Sequence, residues 1–80
     1  MKLPRDVSGE RLAKTLRTFG YRVTRQTGSH LRLTTTENGE HHITIPLHDP
    51  LRIGTFAALL DDVAAHLELS RTELLAKIKF

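Results

Sequence analysis

Eighty residues, 39% of them hydrophobic, leave room for one domain spanning residues 1–80, because a chain this short buries only about 60% of its unfolded surface. Cysteine is absent, which excludes a disulfide framework, a cysteine zinc site and a thiol nucleophile. "MKLPRDVSGE" lacks the apolar stretch of a signal peptide and no run approaches the roughly 18 apolar residues of a membrane helix, so a soluble cytoplasmic protein without membrane attachment is expected.

The net charge of +3 is unevenly spread. From Met1 to Arg32 eight lysines and arginines face only Asp6 and Glu10, and the rest of the chain is net acidic. A polyanion is the partner this asymmetry favours for the N-terminal half, although a basic face can also be merely solvated.

Ser8 reads as an N-cap, with Val7 and Leu12 in hydrophobic-staple register. Leu12, Leu16 and Phe19 recur at helical spacing and Gly20 ends the first helix. "YRVTRQ" alternates, with Tyr21 and Val23 inward and Arg22, Thr24 and Gln26 outward. "HLRLTTT" alternates again, Leu31 and Leu33 inward against His30, Arg32 and Thr34. After an Asn38-Gly39 turn, "HHITIP" sends Ile43 and Ile45 in and His42 and Thr44 out. The loop "LHDPLRIG" leads to Thr55, read as the N-cap of a helix striped by Phe56, Leu59, Leu60, Val63 and Leu67. Ser70 and Glu73 form a capping box, and Leu69 with Leu74 a staple, for a last short helix carrying Leu74, Leu75 and Ile78.

The expected class is therefore α+β, ordered α-β-β-β-α-α: a three-stranded antiparallel sheet with helices on one face. Val23, Leu31, Leu33, Ile43 and Ile45 would pack against Leu12, Leu16, Phe19, Phe56, Leu60 and Val63. The opposite face would stay wet and carry Arg22, His30, Arg32 and His42.

Three features coincide at His30. It faces solvent, it follows a Gly28-Ser29 turn whose amides can approach a phosphate, and Arg25 and Arg32 are near in sequence. An imidazole, with an ordinary pKa near 6.5, can move a proton at neutral pH. The residues alone favour the plainer reading, a solvated histidine at the start of a strand. His41, His42, His48 and Asp49 invite a metal reading, but adjacent strand residues point to opposite faces and no matched ligand pair follows, so no metal is expected. His66 suits the negative end of its helix. Asp61 and Asp62 read as solubilising charge. No phosphate-loop or dinucleotide pattern occurs. Tyr21 and the phenylalanines fall mostly at core spacing, leaving no aromatic platform for bases.

"LPRDVSGERLAKTLRTFGYRVTRQTGSHLRL", "ITIPLHDPLRIGTF" and "LSRTELL", in this order from Pro4 to Leu75, resemble the HicA (YcfA-like) toxins of HicA-HicB toxin-antitoxin pairs. The resemblance implies the fold of double-stranded RNA-binding domains and a ribosome-independent mRNA interferase without a cofactor, with the catalytic histidine at His30. It also implies a HicB-type antitoxin that covers the active site. Pro46, Leu47 and His48, and Gly54 with Thr55, match recurrent family positions.

Two departures stand out: Arg52 is the only lysine or arginine between Asp49 and Ser70, and Glu68 stands where relatives often end the helix with glycine. The reading that follows is an endoribonuclease in which His30 is general base or acid. Arg22, Arg25, Arg32 and the Gly28 and Ser29 amides would hold RNA, with His42 and His48 as auxiliary candidates. A nucleic-acid-binding module that does not cut, or a protein-interaction domain using the wet face, are the rival readings.

Overall fold

The computed structural model describes residues 3–78. It contains, in order, α1 (Gly9–Leu16), β1 (Arg22–Thr27), β2 (His30–Thr35), β3 (His41–Pro46), α2 (Ile53–His66) and α3 (Arg71–Lys77). The strands form one antiparallel sheet in the order β1-β2-β3. This is the expected α+β arrangement.

Ser8 caps α1 in extended conformation, its hydroxyl accepting the Arg11 amide at 3.0 Å. A single 3₁₀ turn, Arg17–Phe19, tightens the end of the helix, and Gly20 stops it at φ 88°. Ser70 caps α3 with the full reciprocal box: Glu73 N–H donates to the Ser70 hydroxyl at 3.1 Å and Ser70 N–H donates to the Glu73 carboxylate at 2.9 Å.

The core lies between the sheet and the helices. Leu12 and Leu16 from α1, Leu33 and Ile45 from β2 and β3, Leu60 and Val63 from α2 and Leu74 from α3 are all fully buried. Each such aliphatic side chain contributes about 1.5–3 kcal/mol by leaving water. Phe19 is only partly buried against this cluster.

Three local expectations are corrected. Val23 does not join the core and remains 47% exposed on β1, an edge strand of the sheet whose residues are all exposed. Thr55 is not the N-cap of α2: the helix begins two residues earlier at Ile53, and Arg52 occupies the cap without a side-chain bond. Gly54 and Thr55 thus lie inside its first turn. Alternation in β1 also breaks, since the register shifts between Val23 and Arg25, a β-bulge that leaves Thr24 as the extra residue.

Candidate nucleic-acid interface

Thr27 pairs with His30 across the two-residue turn Gly28-Ser29. Gly28 has φ 53°, a conformation that the first position of a tight II′ hairpin requires and that glycine adopts without steric cost. A side-chain carbon there would meet nothing within 4 Å, so the glycine is needed for its backbone, and the space above the turn is open. The turn hands His30 to β2 on the face away from Leu31 and Leu33, and the imidazole side of β2 is exposed. Ser29 Oγ stands 3.5 Å from His30 Nδ1, too long for a working relay.

Cross-strand pairing sorts the wet face into three rows. His30 stands between Thr27 and Pro46, Arg32 between Arg25 and Thr44, and Thr34 between Arg22 and His42. The bulge decides the middle row. Simple alternation turns Arg25 to the helix side, whereas the extra residue at Thr24 returns it to the wet face directly opposite Arg32 and sends Gln26 to the other side, opposite Leu31. Like charges directly opposite each other destabilise a sheet by roughly 0.2–1 kcal/mol. Among the described residues no carboxylate lies within ion-pair distance of Arg22, Arg25 or Arg32. Three cations thus share an open face with no ion-pair partner among the described residues, an arrangement suited to a bound anion.

His42 on the same face is tied at both nitrogens, Nδ1 to the Thr34 hydroxyl at 2.7 Å and Nε2 to the Glu40 carboxylate at 3.0 Å. Thr24 extends the chain, its hydroxyl 3.0 Å from that of Thr34. His48 lies at the His30 end of the sheet. There Leu47 N–H donates to the Ser29 carbonyl at 2.7 Å, and the His48 carbonyl accepts the Gly9 amide at 2.9 Å. The Leu47 amide and the His48 carbonyl thereby anchor the Gly28-Ser29 turn and the start of α1 to one strand end, while the Leu47 side chain packs against the core.

A second polar cluster lies on the opposite side of the sheet and was not foreseen. Tyr21, fully buried, donates its hydroxyl hydrogen to His41 Nδ1 at 2.7 Å, and His41 Nε2–H faces Asp62 at 3.2 Å. The His66 ring stacks on His41 at 4.4 Å and donates from Nε2 to the carbonyls of Glu37 and Gly39 at 2.8 and 3.0 Å. Burial, and secondarily the Asp62 charge, push the Tyr21 phenol up to about 12. His66 thus ties the β2–β3 turn to α2 rather than merely ending a helix. Asp62 belongs to the same tie, and Asp61 holds Arg71 through two bonds of 2.6 and 2.7 Å, which lower its carboxyl below the usual range. Both acids have structural partners. The parity of His41 on β3 and the i,i+4 spacing of Asp62 and His66 were the available signals.

No group of three or more histidines and carboxylates among the described residues is arranged to hold a metal ion. Of the aromatic side chains, Tyr21 and Phe56 are buried, Phe19 packs against the core and Phe80 lies outside the described residues. No described helix is long and apolar enough to cross a membrane.

Residues 9–64 match the family described as HicA toxin of bacterial toxin-antitoxin, which covers more than half of the chain and includes α1, the whole sheet and most of α2. The chain belongs to the HicA toxin family. Searches of curated proteins and of solved structures return no match. Membership makes the chain a toxin component of a toxin-antitoxin pair, with a cognate antitoxin as its partner. The family match spans all three rows of the wet face, so the rows belong to the HicA portion of the chain.

Proposed function

We propose that this HicA-family toxin is a ribosome-independent endoribonuclease whose wet sheet face binds mRNA and whose His30 moves the proton that cleavage requires. The observation carrying this reading is the position of an exposed imidazole one row from the un-neutralised Arg25–Arg32 pair, at the mouth of an open turn. Cleavage joins the RNA 2′-oxygen to the neighbouring phosphorus and releases the 5′-oxygen. His30 takes the proton from the 2′-hydroxyl, or supplies one to the departing 5′-oxygen. Arg25, Arg32 and the amides of the Gly28-Ser29 turn offset the charge that grows on the phosphoryl oxygens. The cognate antitoxin inhibits by covering this face.

His30→Ala tests the reading. The side chain is exposed, so its loss should change stability by no more than about 0.5 kcal/mol. Loss of a positioned proton-transfer group should lower the cleavage rate by about 10²–10⁴-fold. Expression without antitoxin should then leave growth unimpaired, while the purified variant melts with the wild type and still binds RNA. A folded His30→Ala protein that remains toxic and cleaves RNA sinks the assignment.

A further inference from the structure

The three rows of the wet face have a regular spacing that the cleavage reading does not use. Residues 30, 32 and 34 of β2 share one face, so the rise of a strand sets successive rows about 6.6 Å apart. That step is comparable to the distance between neighbouring phosphates on an extended single strand of RNA. Each row offers something to an anion. The first has His30 and the turn amides, the second the Arg25–Arg32 pair, the third Arg22, beside the Thr34 hydroxyl that His42 Nδ1 holds.

The same spacing constrains the second histidine on this face. His42 stands across from Thr34, so about four residues of strand, roughly 13 Å, separate its row from that of His30. It is also held at its own end by Thr34 and Glu40. A proton-transfer group must come within about 3 Å of the atom it serves, so one phosphodiester cannot engage both imidazoles. His42 is better placed to orient the Thr34 hydroxyl, which lies in the row where Arg22 supplies the charge.

We infer that an extended single strand of RNA runs along β2 with three successive phosphates on the three rows, and that Arg22, Thr34 and His42 form a distal subsite two phosphates from the one at His30. His42 is a positioning residue of that subsite and not the second acid-base group. The inference rests on the cleavage reading for the location of the scissile phosphate. With no phenylalanine, tyrosine or tryptophan among the described residues on this face, the strand is held chiefly by its backbone.

The test uses the intact protein and fluorescently labelled 2′-O-methyl oligouridylates of two to five nucleotides, which cannot be cleaved through the 2′-oxygen. Anisotropy titrations should show affinity rising up to three phosphates and levelling off. The log-log salt slope should reach about −2, since each phosphate on a single strand contributes about 0.7. Arg22→Ala should reduce that slope by about 0.7, and His42→Ala should lower the affinity for the longer oligomers. On a cleavable pentanucleotide the His42→Ala loss should fall mainly on KM. Four results overturn the inference: no length step, a step insensitive to both variants, a kcat loss in His42→Ala as large as in His30→Ala, or stronger competition by duplex RNA than by a single strand of equal phosphate content. Absence of any RNA binding would overturn the cleavage reading as well, which separates the two failures.

Discussion

Gly9 lies directly against the backbone carbonyl of Pro46. A side-chain carbon on Gly9 would overlap that oxygen and crowd the Ile45 Cγ2 methyl at 3.2 Å. The contact matters for the site because Pro46 is the register partner of His30, and the Gly9 amide also bonds the His48 carbonyl. The first turn of α1 is thus pressed onto the strand end that frames the Gly28-Ser29 turn. Gly9→Ala should cost about 1–3 kcal/mol through forced displacement of this backbone. For a domain of this size that corresponds to a fall of at least about 4 °C in Tm, and cleavage should drop alongside it. A thermal melt matching the wild type would show that the approach imposes no constraint.

Tyr21 gives a pH dependence with a definite sign. Burial keeps the phenol protonated in the fold up to about 12, whereas its ordinary pKa is 10.0. Its contribution to stability is therefore complete below pH 10 and disappears as pH rises from 10 through about 12. Tyr21→Phe removes this titration and leaves His41 Nδ1 without its donor, a loss of about 1 kcal/mol at neutral pH. Urea unfolding at pH 8 and pH 11.5 should show the gap between wild type and variant closing at the higher pH. A gap that is the same at both would mean that the phenol does not titrate late.

Much of the fold could be read from the chain because its signals are local. The Ser8 cap, the Ser70–Glu73 box and the alternation of Leu31, Leu33, Ile43 and Ile45 each depend on neighbours a few residues away. What escaped depends on distant partners. The bulge at Thr24 exists only in the pairing of β1 with β2, and it moves Arg25 onto the wet face while Val23, though opposite Leu33, stays uncovered at the sheet edge. The tie of Tyr21, His41, Asp62 and His66 joins residues from three parts of the chain, of which periodicity gave only the faces. His30 was legible as an outward-facing histidine, and the Arg25–Arg32 pair beside it was legible as charge but not as geometry.

Glu68 is a position where chain and backbone disagree. It follows α2 at φ 59°, a left-handed conformation that costs a residue with a Cβ about 1–2 kcal/mol, and its amide donates to the Ala65 carbonyl at 3.2 Å. The side chain is exposed, so nothing visible offsets the strain. Glu68→Gly should stabilise the protein by about 0.5–1 kcal/mol, the relief being partly cancelled by the greater freedom of glycine in the unfolded chain. Chemical denaturation reads this directly. A lower midpoint for the variant would show that the carboxylate makes a contribution larger than the strain.

Arg32 offers a test of how the antitoxin inhibits. It occupies the central row of the central strand, flanked by Arg25 and Thr44, exposed and without an ion-pair partner among the described residues. An inhibitor covering this face must neutralise its cations, and opposite charge speeds encounter in proportion to how weakly salt screens it. Arg32→Glu should then slow association with the cognate antitoxin and flatten its dependence on ionic strength, with stability held or slightly raised because the like-charge pairing with Arg25 becomes an opposite one. Stopped-flow association at low and moderate salt separates the cases. Unchanged rates at both salt concentrations would place the antitoxin elsewhere on the toxin, and inhibition would then act at a distance from His30.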